Sequence, residues 1–151
     1  MIERIDHVNL VVRNLPAMVE FYERAFELRT TKRATISGPW IETVTGYADV
    51  EADVAYLQAD TNAGIELIQY RTPAGSRPDG LGEPNTKGIR HIAFRVRELD
   101  SVVEAAEQAG VELLSEIQTV ADEQVDYGSQ RKRLVYCRDP EGNLLELCEY
   151  R

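Results

Sequence analysis

The chain has only two histidines, His7 and His91. Each opens a stretch with the same pattern. DHVNLVVRNL (6–15) and RHIAFRVREL (90–99) align His, alternating apolar residues, Arg and Leu in register, 84 positions apart (7 to 91). A second pair of stretches, GIELIQY (64–70) and NLLELCEY (143–150), aligns Glu66 with Glu146, 80 positions apart (66 to 146). Imidazole nitrogens and carboxylate oxygens are the ligands of divalent first-row metal ions. His7, Glu66, His91 and Glu146 make a donor set for one such ion, whether Zn, Ni, Co, Mn or Fe(II), with positions left for water or substrate oxygens. A lone strand histidine is ordinarily a satisfied core or surface residue. Two at equivalent repeat positions, with no others in the chain, reverse that reading. A strand glutamate ordinarily faces water. Here Glu66 shares its face with Ile68 and Tyr70, and Glu146 shares its face with Leu144, Cys148 and Tyr150. A carboxylate among such neighbours needs a cation or a hydrogen-bond donor. No short zinc-finger spacing is present, so the signal lies in the repeat.

Period-two alternation places Val8, Leu10 and Val12 on one strand face and His7, Asn9 and Val11 on the other. Ile92, Phe94 and Val96 likewise oppose His91, Ala93 and Arg95. A helical pattern follows each strand. PAMVEFYERAF turns Leu15, Met18, Tyr22, Ala25 and Phe26 inward, with Pro16 in its first turn. DSVVEAAEQAG turns Leu99, Val102, Val103, Ala106 and Ala109 inward, with Asp100 expected as N-cap and Gly110 as terminus. Further strands are expected at 28–36, 53–59, 64–70, 112–118, 131–138 and 143–150. The Pro- and Gly-rich stretch 71–88 reads as a connector between a first module, about 1–70, and a second, about 89–151. Irregular stretches at 36–53 and 118–130 are expected as loops and candidate lids.

The 151 residues suffice for one ordinary domain. Lys and Arg number 17 against 26 Asp and Glu, a formal charge of −9. An acidic surface repels phosphate backbones and anionic lipid, so neither nucleic acid nor a membrane is the expected partner. A small-molecule substrate is, and an anionic one would need local basic residues. The start MIERIDHVNL does not read as a signal peptide, and a cytoplasmic location is the working expectation. Cys137 and Cys148 read as free thiols.

DHVNLVVRNLPAMVEFYERAF, GIEL, RHIAFRV and DPEGNLLEL together resemble the vicinal oxygen chelate superfamily, which includes glyoxalase I, methylmalonyl-CoA epimerase, extradiol dioxygenases, and bleomycin and fosfomycin resistance proteins. The resemblance covers nearly the whole chain, and the DPxGN turn at 139–143 is its most specific string. It implies an α+β fold in which two tandem βαβββ modules form an open barrel around an internal metal cavity. It places ligands on the first and last strands of each module, at His7, Glu66, His91 and Glu146, with one divalent ion per site. It implies Glu146 as general base and Glu66 as its partner on the opposite face, in proton transfer alpha to a metal-chelated carbonyl by a lyase or isomerase of the glyoxalase I or epimerase type. Glu66 matches bacterial-type glyoxalase I better than the epimerases, which carry Gln there. The alternatives are an Fe(II)-dependent extradiol-type dioxygenase and a non-catalytic binding or resistance protein. Family members often pair, and a homodimer is expected.

Other side chains are weaker candidates. Asn9 and Arg95 share faces with the histidines, and Trp40 stands in a candidate lid. Arg71, Arg77, Arg131, Lys132 and Arg133 are candidates for a substrate carboxylate or phosphate. Cys148 shares the Glu146 face but reads as a structural thiol.

Overall fold

A computed structural model of the chain describes residues 1–59, 63–121 and 123–151. They fall into two compact units, Met1–Ser76 and Arg77–Arg151. The first runs β1 (His7–Val11), α1 (Leu15–Phe26), β2 (Arg29–Ser37), α2 (Pro39–Thr45), β3 (Glu51–Gln58) and β4 (Gly64–Thr72). Its sheet has the order β1-β4-β3-β2, with β1 parallel to β4 and the other pairs antiparallel. The second unit runs β5 (His91–Arg95), α3 (Leu99–Gln108), β6 (Glu112–Leu113), β7 (Gln118–Thr119), β8 (Lys132–Arg138) and β9 (Leu144–Tyr150). Its sheet has the order β5-β9-β8-β6, with β7 also on β8 and β5 parallel to β9. The fold is α+β, and each unit is of βαβββ type.

Both modules lock their helix to the sheet in the same way. α1 is capped by Asn14, whose side chain accepts from Ala17 N at 3.2 Å, and Pro16 sits in its first turn. Twelve residues are marginal as an isolated helix, so burial must hold it. Leu15, Met18, Val19, Phe21, Tyr22 and Ala25 are buried, and the helix packs on β3 and β4. Each large apolar side chain removed from water contributes roughly 1.5–3 kcal/mol. Leu15 N donates to Gln69 Oε1 of β4 at 2.8 Å. In the second unit Glu98 N donates to Glu149 Oε1 of β9 at 3.1 Å. Gln69 and Glu149 are the same repeat position, so one strand residue fixes the start of each helix. Because they point at the helix, Glu66 and Glu146, an odd number of residues away, point at the other face.

Three expectations are corrected. The N-cap of α3 is Glu98, at φ 54°, and Asp100 lies in the first turn. Its carboxylate is taken by Arg133, whose Nη1 and Nη2 donate at 2.8 Å each, so it is unavailable for capping. The strand expected at 112–118 is two short pieces, β6 and β7, both borne by β8, because residues 115–117 leave the ladder between them. The irregular stretch at 36–53 contains α2, which Pro39 starts and Gly46, at φ 74°, ends. In the 118–130 stretch, Asp122 lies outside the described residues. Among the described residues no helix is long and apolar enough to cross a membrane.

The Arg133 guanidinium holds the Asp100 carboxyl down at about 2. A carboxylate depressed in the folded state contributes stability above its unfolded pKa of about 3.9, and that contribution is lost as pH falls through the folded value. Asp100→Asn therefore lowers the melting temperature at neutral pH, and the gap to the parent closes as pH is taken from about 4 toward 2. A gap unchanged over that range in circular-dichroism melts would contradict the pairing.

Candidate metal centre

Register decides which side chains meet. On β1 and β4, Val8 stands opposite Ile65 and Leu10 opposite Leu67, which fills the helix side of the sheet. His7, Asn9 and Val11 therefore lie on the face of Glu66 and Ile68. Tyr56 of β3 is directly opposite Glu66, and Val54 opposite Ile68. The second unit repeats this, with Ala93 opposite Glu146 and Tyr136 of β8 opposite Glu146 from the other side.

Within the first unit, His7 Nε2 is 3.4 Å from Glu66 Oε2. Asn9 Nδ2 donates to the same oxygen at 2.7 Å, and the Tyr56 hydroxyl also hydrogen-bonds Glu66. That bond and burial push the Tyr56 phenol up to about 12. The other ring nitrogen of His7, Nδ1, is 3.0 Å from Asp6 Oδ2. With its proton on Nδ1, His7 donates to Asp6 and turns the Nε2 lone pair toward Glu66. A carboxylate holding the far nitrogen of a histidine is the usual support of a metal-bound imidazole.

In the second unit His91 Nε2 is 3.5 Å from Glu146 Oε2. The Glu146 side chain is only 5% exposed. Lys132 Nζ pairs with its Oε1 at 2.6 Å. Burial alone would push the Lys132 ammonium down, but Glu146 more than offsets this and holds it above its ordinary value. The His91 ring packs on Tyr136 with centroids 5.2 Å apart.

The four expected ligands are thus brought together as two His–Glu pairs, one in each unit. Among the described residues no group of three or more His, Cys, Asp or Glu side chains is set to hold a metal ion. The pair geometry fits a metal nonetheless. Two ligands bonded at about 2.1 Å to one ion at a tetrahedral angle lie roughly 3.4 Å apart. A neutral imidazole lone pair facing a carboxylate is repulsive until a cation stands between them.

Sequence reasoning passed over Tyr56 and Tyr136. Their signal was present, because DVAYLQ (53–58) and RLVYCR (133–138) repeat with the same spacing of 80 as the glutamates. Asn9 proves to be a partner of Glu66. Arg71 is tied to Glu51 and Asp53 on its own sheet, and Arg133 to Asp100 and Glu149, so neither guanidinium stands open to a substrate. Trp40 is 58% exposed on α2. Arg77 belongs to a different feature, an open cavity of about 540 Å³ lined by Gly80, Gly82, Glu112, Arg138 and Gly142 and by none of the four candidate ligands. Arg138 crosses it to donate to Gly82 O and Glu112, which pins the connector to the sheet. The neighbouring DPEGN turn is built on buried Asp139, which accepts from Glu141 N and Asn143 N at 3.0 and 2.8 Å. Gly142 closes it at φ 81° and launches β9.

The sequence profile of the Glyoxalase/Bleomycin resistance protein/Dioxygenase superfamily matches residues 4–147, and the chain belongs to that superfamily. Among solved structures, a glyoxalase family protein from Bacillus cereus is 30% identical with a TM-score of 0.82, over 99% of this chain and 95% of that one. A glyoxylase/bleomycin resistance protein/dioxygenase domain from Frankia sp. EAN1pec shares the fold at 20% identity and a TM-score of 0.68, over 100% of both chains. A glyoxalase I mutant from Zea mays shares it at 19% identity and 0.67, over 96% of this chain and 44% of that one. No curated protein matches the chain.

Two outcomes check this geometry. Breaking a buried ion pair by removing one partner costs about 3 kcal/mol or more. Metal-free Lys132→Met should lose about that much in urea denaturation, whereas loss within error would place Glu146 in water. Both thiols are buried, and burial pushes Cys137 up to about 12 and Cys148 upward too. The native protein at pH 8 should leave a chromogenic disulfide unreacted over minutes, with two thiols appearing on unfolding.

Proposed function

We propose that the chain is a divalent-metal-dependent lyase or isomerase that moves a proton alpha to a carbonyl of a small-molecule substrate. One ion takes His7 and Glu66 from the first module and His91 and Glu146 from the second. The observation that carries this reading is the duplicated pair, a histidine nitrogen 3.4 Å and 3.5 Å from a carboxylate oxygen at equivalent repeat positions. When bound, the ion supplies Lewis acidity to a carbonyl oxygen, which makes the adjacent C–H acidic enough to remove. Asp6 holds His7 with Nε2 available, and Asn9 and Tyr56 orient Glu66 with neutral donors that leave its charge intact. Glu146 accepts the proton from carbon, and Glu66 serves the opposite face of the substrate.

Elemental analysis after reconstitution tests the ligand set. We expect one ion per chain. His7→Ala and His91→Ala should each cut occupancy to below about a tenth, because ligands from both modules serve the same ion. Two ions per chain, or occupancy indifferent to either histidine, would overturn the reading. Glu146→Gln should lower turnover by about 10²–10⁴-fold while some metal is retained. Oxygen consumption with a catechol and Fe(II), with no activity under Zn, Co or Ni, would move the chain to ring cleavage instead.

A further inference from the structure

Two of the differences between the modules on the glutamate-bearing face introduce cations. Lys132 stands where the first module has Ala52, and Arg95 where it has Val11. The aromatic residue between them is kept, as Tyr70 in one module and Tyr150 in the other. The βαβββ fold therefore does not require these cations. Both gather at one ring, with Arg95 Cζ 4.8 Å and Lys132 Nζ 5.9 Å from the Tyr150 centroid. Arg95 makes no ion pair among the described residues. The Lys132 side chain is 14% exposed, and its only acidic partner there is Glu146. A carboxylate that ligates a metal ion has little charge left for an ammonium beside it, so Lys132 then needs another anion. A surface of net charge −9 repels anions, and local cations are the means of admitting one.

We propose that Arg95 and Lys132, grouped at the Tyr150 ring, form a carboxylate subsite, so that the substrate carries a carboxylate in addition to its metal-chelating oxygens. The inference rests on the metal-dependent reading above. Glu146 beside Lys132 disfavours a second formal negative charge, which selects a carboxylate over a phosphate dianion. The planar guanidinium and the ammonium supply its donors, and the ring face shields the pair from water.

The test uses full-length protein loaded with Co(II). Calorimetry compares 2-oxoglutarate with 2-oxopentanoate. Both have the same chelating 2-oxo acid end, and they differ in a terminal carboxylate against a methyl. The cobalt absorption band reports chelation independently. The expected preference for 2-oxoglutarate is roughly tenfold or more, the size of a charge-assisted contact. Arg95→Gln and Lys132→Gln should each bring it near unity, while the cobalt band still responds to both acids. No preference in the parent, or a preference that survives both substitutions, overturns the subsite. If the parent binds no cobalt, the metal-dependent reading fails separately. Glutarate binding to metal-free protein then decides the subsite, upheld if Arg95→Gln weakens it and refuted if glutarate does not bind.

Discussion

A carboxylate drawn out of water on the sheet face away from the helix is the constraint around which each module is built. Both side chains are largely out of water, and desolvating a lone carboxylate costs several kcal/mol, so each needs partners. The two modules solve this differently. The first surrounds Glu66 with neutral donors, Asn9 and Tyr56, and a histidine. The second sets an ammonium against Glu146. Neutral donors satisfy lone pairs and leave the charge to act on a metal ion. An ammonium cancels the charge and must be displaced or re-paired before the carboxylate can do the same.

The duplicated sequence therefore carries two kinds of information. What the copies share is the scaffold. His, Tyr and Glu recur on one face, and Gln69 or Glu149 holds the helix start on the other. What they do not share is chemistry that the scaffold leaves open. Asn9 against Ala93, Ala52 against Lys132 and Val11 against Arg95 all fall on the glutamate face. Such divergence on that face is what separate demands of fold and ligand recognition on alternate residues of one strand would produce.

Much of this was legible in the chain itself. Period-two alternation assigns both histidines and both glutamates to the face away from the helix, and the strand registers agree. Local chemistry was harder to read where a partner distant in sequence decides it. Asp100 looks like an N-cap until Arg133, 33 residues on, takes its carboxylate. RKR at 131–133 looks like a solvated cluster, yet the pleat sends Lys132 and Arg133 to opposite faces, one to Glu146 and the other to Glu149. The break in the 112–118 strand follows no residue pattern, since both of its pieces pair with the same edge of β8.

The final strand shows why fold and candidate site depend on the same residues. Side chains on a strand alternate, so a slip of one residue in β9 would carry Glu146 to the helix side and Leu145 or Leu147 to the other. Asp139, Asn143 and the left-handed Gly142 fix where the strand begins, and Arg138 ties the residue before that turn to the connector. Glu149 then fixes the far end by holding Glu98 N and pairing with Arg133. Between those two anchors there is one register in which Tyr136, His91 and Lys132 all meet Glu146. The DPEGN turn is thus a positional device. It contributes no ligand, yet it sets where the carboxylate stands.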